Sequence, residues 1–183
     1  MEPTPYLVLL RGINVGGRNK VPMKLLKGHL EDLGYEHVMT YIASGNVLLE
    51  SADAAGEIGP CIEKALAERF ELDDELVRVL VLSRGQLQDV VAHKPEGFGE
   101  QPGKYHSDAI FLMGIDPAEA LSAFNPREGV DAVWPGEGVI YSQRLSAERT
   151  KSRLSAVAAS PMYKSMTIRS WNTTQKLWNL FQD

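Results

Sequence analysis

A single cysteine, Cys61, is the first scarcity in this chain. One thiol closes no intrachain disulfide, so the expected home is a reducing cytoplasm and the expected support is a packed core. Cys61 sits in a helix-periodic stretch and is expected to be a small core residue. Long apolar runs are missing as well. None approaches the roughly 20 residues that cross a bilayer, and Met1-Glu2-Pro3-Thr4-Pro5 is no basic, apolar leader. Neither a membrane span nor secretion is expected, and the sequon Asn172-Thr173-Thr174 would go unused in a cytoplasm.

A basic excess is also lacking. The chain of 183 residues carries 19 Lys and Arg against 24 Asp and Glu, a net charge of −5. That balance argues against a general nucleic-acid binder. The distribution is uneven, however. From Tyr6 to Leu30 the chain has Arg11, Arg18, Lys20, Lys24 and Lys27 with no acid. From Arg144 to Lys176 seven basic residues face Glu148 alone. Two such segments draw anions if they form a patch, and are plain solvated faces if they do not.

Signatures of known chemistry are equally sparse. His29, His37, His93 and His106 lack metal-ligand spacing with any Cys, carboxylate or second His, so no metal is indicated. Each reads as a surface or hydrogen-bonded histidine. No pair of catalytic carboxylates stands out, and Asp73-Asp74-Glu75 reads as a solvated turn. Ser44 lacks the Gly-x-Ser-x-Gly elbow of a hydrolase.

What is present is an ordered succession of elements. Tyr6–Leu10 is an uninterrupted apolar strand, and Pro22–Leu33 a helix with Met23, Leu26, Leu30 and Leu33 on one stripe, Gly34 closing it. Val38–Ala43 and Val47–Glu50 are strands joined by Ser44-Gly45-Asn46, a hairpin signal. Ala55–Phe70 is a helix bearing Ile58, Ile62, Leu66 and Phe70, and Leu76–Leu82 is a strand. The order βαββαβ is that of a ferredoxin-like unit.

After a short helix, Ser83–Val91, and a Pro/Gly-rich loop from His93 to Gly103, the order recurs. Strands are expected at Tyr105–Met113, Val130–Trp134, Val139–Gln143 and Lys164–Arg169, and helices at Pro117–Phe124 and Ala147–Ala159. A last helix spans about Asn172–Phe181, capped by Asn172, Thr173 or Thr174, with Trp171 in the core. The expected fold is therefore α+β: two ferredoxin-like units in tandem, residues 1–92 and 93–183, packed as one compact body, with a linking and a C-terminal helix. Strands apolar on both faces need a cover, supplied by the other half, the Ser83 helix or a second subunit, which leaves an oligomer open.

One segment is poorly suited to mere packing: Leu9-Leu10-Arg11-Gly12-Ile13-Asn14-Val15-Gly16-Gly17-Arg18-Asn19-Lys20. Strand, glycine-rich cationic loop and helix start in series present N–H groups and charge to an anion. Gly12 and Gly17 have Walker spacing, but Arg18-Asn19 stand where Lys-Ser/Thr is required, and the dinucleotide fingerprint fails too. The first two strands of such a unit run parallel, which places this loop beside the Ser44-Gly45-Asn46 turn on one sheet edge. The expected ligand set is Arg11, Asn14, Lys20 and the Gly16-Gly17 amides, with Ser44, Gly45 and Asn46 orienting the ligand. Arg169 joins from the second half, since Thr167 and Arg169 share a strand face opposite Met166 and Ile168. The competing reading gives the glycines to φ > 0 positions and Arg11 to a structural carboxylate.

These blocks carry a family resemblance. YLVLLRGINVGG from Tyr6, Val21-Pro22-Met23, Leu33-Gly34, TYIASGN from Thr40 and TIRSWNT from Thr167 resemble the bacterial family known as domain of unknown function 1697. The resemblance runs from Tyr6 to Phe181, with Ser170 where the family pattern has asparagine. It implies a cytoplasmic α+β fold akin to paired ferredoxin-like units, and it brings no activity, cofactor or substrate.

The leading expectation is a protein that binds a small anion, a nucleotide or a phosphorylated metabolite. Three others stand beside it. Single-stranded nucleic-acid binding is disfavoured because the third strand has no aromatic for stacking. An enzyme acting on a phosphorylated substrate would use Ser44, Tyr41 or Tyr141. A purely structural or interaction module is the fourth.

Overall fold

A computed structural model describes residues 1–73 and 77–183. The expected strand start at Leu76, and Asp74 and Glu75 of the acidic turn, lie outside the described residues. The architecture is mixed α/β with two four-stranded antiparallel sheets and several helices. The chain divides into two compact units, Met1–Leu87 with Leu180–Asp183, and Gln88–Asn179. Among the described residues no helix is long and apolar enough to cross a membrane.

In the first unit β1 (Thr4–Arg11) is followed by α1 (Met23–Asp32), β2 (Glu36–Tyr41), β3 (Asn46–Ser51), α2 (Ala55–Arg69) and β4 (Arg78–Ser83). The sheet order is β2-β3-β1-β4, each neighbour antiparallel. β1 and β2 consequently run the same way and end on the same edge. Alternation along β1 sends Val8 and Leu10 into a core with Leu26, Leu30, Ile58 and Ile62, while Leu7, Leu9 and Arg11 point to the other face. α1 ends as expected: the Gly34 N–H donates to Glu31 O at 2.9 Å and the Tyr35 N–H to Leu30 O at 3.2 Å, with Gly34 at φ +94°. That pair of bonds satisfies two carbonyls of the last turn.

Cys61 corrects one expectation. The α2 stripe that meets the sheet is Ile58, Ile62 and Leu66, and Cys61 lies about 100° around the helix from Ile62. It is exposed.

α3 (Arg84–Ala92) opens on a reciprocal cap. The Gln86 N–H donates to Ser83 Oγ at 3.2 Å and the Ser83 N–H to Gln86 Oε1 at 2.9 Å, the capping-box arrangement. The second unit continues with β5 (Tyr105–Leu112), α4 (Pro117–Leu121), β6 (Asp131–Gly136), β7 (Val139–Leu145), β8 (Met166–Ser170) and α5 (Trp171–Gln182). Its sheet order, β6-β7-β5-β8, repeats that of the first. β6 runs on through Pro135 and Gly136, past the expected end at Trp134; an edge strand tolerates the missing proline N–H.

The expected helix Ala147–Ala159 is absent. Three 3₁₀ turns stand there instead, Ser146–Lys151, Leu154–Ala159 and Pro161–Ser165. Asp131 is the physical reason. Its carboxylate accepts from Ser152 Oγ at 2.6 Å, the Arg153 N–H at 2.8 Å and the Arg127 N–H at 2.9 Å. The Arg153 N–H is thereby withdrawn from any helical carbonyl, and Ser152 is held extended at φ −62°, ψ 144°. The other face of this sheet carries an aromatic cluster, with Phe98 edge-on to Trp134, Tyr141 and Trp171. Trp171 is core, as expected, and the Tyr141 hydroxyl donates to Val90 O at 2.6 Å.

Candidate functional site

The loop after β1 folds back on itself as a short finger. The Asn14 N–H donates to Asn19 O and the Arg18 N–H to Val15 O, each at 3.0 Å. Gly16 at φ +59° and Gly17 at φ +75° form its tip. Two successive positive φ values are the mark of a type I′ turn, which a glycine pair enters without strain. Among the described residues nothing lies within 4 Å of where a Cβ would stand on either glycine, and both glycines are exposed.

The finger and the β2–β3 turn are adjacent. Asn14 is the staple: its Nδ2 donates to Val21 O at 2.9 Å and to Ala43 O at 2.8 Å, and its Oδ1 accepts the Val21 N–H at 2.8 Å. Next to it the Leu10 N–H donates to Gly45 O at 2.8 Å. Gly45 has φ +90°, and a Cβ there would stand 2.8 Å from Leu10 Cβ and 2.9 Å from Ile13 Cδ1. Close approach and backbone conformation both demand glycine.

These contacts redistribute the roles of the expected ligand residues. Both amide hydrogens of Asn14 are committed within the protein. Both of Asn46 are as well, to Tyr41 O at 2.9 Å and Ser44 Oγ at 3.0 Å, and Asn46 is fully buried. The two asparagines build the edge. The groups that face outward are Ser44, Lys20, Arg18 and the glycine tip.

Arg11 acquires a neighbour that sequence reading missed. In the β1–β4 register Arg11 stands directly opposite Arg78. Directly opposed residues in an antiparallel pair project to the same face, and like charges there repel unless counter-charge is supplied. Both arginines take part in further interactions of the fold. The signal for Arg78 lies in the strand register, which a single sequence leaves unspecified. Asp73 was missed too. It is no mere solvated turn, because it exchanges hydrogen bonds with Asn19 of the finger.

Arg169 belongs to the second unit. It shares a strand face with Thr167, as expected: Nη1 donates to Thr167 Oγ1 and to Ile168 O, each at 2.9 Å. Burial pulls its pKa down to about 10. The TIRSWNT stretch holds a correction. Ser170, not Asn172, Thr173 or Thr174, caps α5, its Oγ accepting the Thr173 N–H at 3.1 Å. Serine and asparagine rank together at that position, so the departure from the family's asparagine is physically neutral.

Two antiparallel sheets and a stapled β1–α1 finger define a mixed α/β protein. Residues 4–141 match the family model described as "Protein of unknown function (DUF1697)", and the chain belongs to that family. No curated protein matches it. A solved structure described as conserved bacterial protein SP0830 from Streptococcus pneumoniae is similar, with 24% identity and a TM-score of 0.80. The match covers 98% of this chain and 99% of that one. At that identity the likeness speaks to fold alone.

Proposed function

We propose that this is a small-ligand-binding protein whose first unit holds a compact anion, a nucleotide or phosphorylated metabolite, at the edge formed by the finger and the Ser44–Asn46 turn. The observation that carries the reading is the opposed pair Arg11 and Arg78 on one face of the sheet, next to a loop that also holds Arg18 and Lys20. Guanidinium groups in pairs suit phosphate and carboxylate oxygens. The open glycine tip adds backbone that a ligand can approach, and Asn14 and Asn46 act by fixing the shape. In this reading Lys20 steers and neutralises, while Ser44 orients.

The finer fold reading belongs here as well. Each strand order, with neighbours antiparallel and β1 parallel in direction to β2, suits a ferredoxin-like unit. We read the chain as two of them, halves 1–92 and 93–183, working in a reducing cytoplasm.

Native mass spectrometry of freshly purified protein tests the ligand directly, with inorganic phosphate, pyrophosphate and adenosine monophosphate as added probes. A co-purifying anion, or a saturable rise in Tm with one probe, is expected. Arg11→Ala with Lys20→Ala should abolish either signal in a protein that still folds. Loss of folding in that double variant would make the residues structural and end the reading.

A further inference from the structure

The second unit contains a cavity that the anion reading does not use. In the first unit the β3–β4 connection is a 15-residue helix whose Ile58, Ile62 and Leu66 fill the sheet face. The equivalent β7–β8 connection is the run of 3₁₀ turns from Ser146 to Ser165, in which Leu154 and Val157 are the buried residues. A run of short turns covers a sheet less completely than a continuous helix. What remains is a cavity of about 200 Å³, the room of some six or seven liquid waters at about 30 Å³ each.

Its walls are chemically divided. Phe124, Leu154 and Val157 contribute apolar surface, and Asp108 and Arg144 contribute one charge of each sign. The two charges sit on adjacent strands: β7 places Ser142 opposite Asp108 and Arg144 opposite His106. Among the described residues Arg144 Nε is buried without a hydrogen-bond partner, although a buried N–H left unmade is costly. Asp131 and Asp108 both lie within the field of Arg144, and neither accepts from this Nε. Asp131 is held by Ser152, Arg153 and Arg127, and Asp108 Oδ2 lies 3.0 Å from His106 Nε2.

We propose that this cavity binds a small zwitterion with an apolar body, of the size and class of an apolar α-amino acid. Its carboxylate meets Arg144, its ammonium meets Asp108, and its side chain lies against Phe124, Leu154 and Val157. The pairing of charges selects the class. A plain carboxylate of the same shape leaves Asp108 facing an apolar or like-charged group, and a plain amine does the same to Arg144, so each loses one charge-assisted contact. Apolar walls with a few placed polar groups are the usual make-up of a ligand pocket.

The test uses the full chain with three probes of one shape: leucine, 4-methylpentanoate and 3-methylbutylamine. Saturable amide shifts by NMR are expected with leucine at millimolar or lower concentration. Each single-charge analogue should bind at least about tenfold more weakly, the equivalent of about 1.4 kcal/mol. Arg144→Gln and Asp108→Asn should each remove leucine binding. Val157→Phe, which fills the cavity with apolar volume, should remove it while the dispersed native spectrum persists, which separates loss of the site from loss of the fold. Absence of saturable shifts with leucine, isoleucine, valine and phenylalanine would overturn the proposal. So would equal binding of the plain carboxylate, or leucine binding that survives Val157→Phe.

Discussion

Asn19 and Asp73, 54 residues apart, exchange two hydrogen bonds: the Asn19 N–H donates to Asp73 Oδ2 and the Asp73 N–H donates to Asn19 Oδ1, both at 2.7 Å. Asn19 Nδ2 also donates to Gly12 O at 2.9 Å, and the residue is almost fully buried at φ +47°. One asparagine thus closes the finger on itself and ties it to the chain that precedes β4. Asn19→Ala leaves the Asp73 N–H and Gly12 O without these partners and puts alanine where φ is positive. A loss of about 2–4 kcal/mol is expected in urea unfolding, with faster amide exchange over residues 12–20. Combined with Asp73→Ala the losses should be non-additive by about 1 kcal/mol or more, which a double-mutant cycle reads directly.

Asn14 is expected to matter for shape before charge. Asn14→Asp keeps the acceptor for the Val21 N–H and replaces two donors by a carboxylate oxygen facing the carbonyls of Val21 and Ala43. The cost should be about 2 kcal/mol. The finger and the β2–β3 turn should separate, visible as chemical-shift changes at Ala43 and Ser44 in a protein that still folds. Unchanged shifts at those two residues would mean the staple is not what joins the loops.

That adjacency was legible in the sequence, and the roles of its members were not. An unbroken apolar run at Tyr6–Leu10 and a hairpin signal at Ser44-Gly45-Asn46 are local features, and the direction of the first two strands then follows from a single crossover. Arg78 opposite Arg11 depends on register, which no local pattern encodes. Asn14 and Asn46 read as free amides because their acceptors are main-chain carbonyls brought in by folding. The missing helix at Ala147–Ala159 has the same origin. Its alanines favour a helix locally, but Asp131 captures the Arg153 N–H from outside the segment.

Neighbouring positions in the β2–β3 turn should respond to substitution with opposite signs. Gly45→Ala forces a Cβ against Leu10 and Ile13 at positive φ, and should lower stability by about 2–3 kcal/mol. Ile42, half-exposed, holds φ +49°, a conformation that β-branched residues strongly resist. Ile42→Gly removes that strain and should raise stability by about 0.5–1 kcal/mol, after the added flexibility of the unfolded chain is subtracted. Thermal melts of the two single variants at one pH decide both.

Two aspartates of the second unit should show opposite pH dependence. Desolvation pushes the Asp131 carboxyl up, but the Arg153 N–H, the Ser152 hydroxyl, the Arg127 N–H and the charge of Arg144 together hold it below the ordinary range. A depressed folded value means stability that is present above the unfolded pKa, about 3.9, and lost as pH falls through the folded one. Asp131→Asn should therefore cost about 2–3 kcal/mol at neutral pH, a deficit that shrinks in acid. Burial raises the Asp108 carboxyl, with His106 and Arg144 opposing it without cancelling it. Here the favourable state lies below the unfolded value, and stability is lost as pH rises through the folded one. Asp108→Asn escapes that loss, so relative to the native chain it should gain from about pH 4 upward. Tm measured from about pH 3 to about pH 6 for the native chain and both variants should give difference curves of opposite slope. Parallel slopes would mean that hydrogen bonds to Asp131 do not outweigh its desolvation.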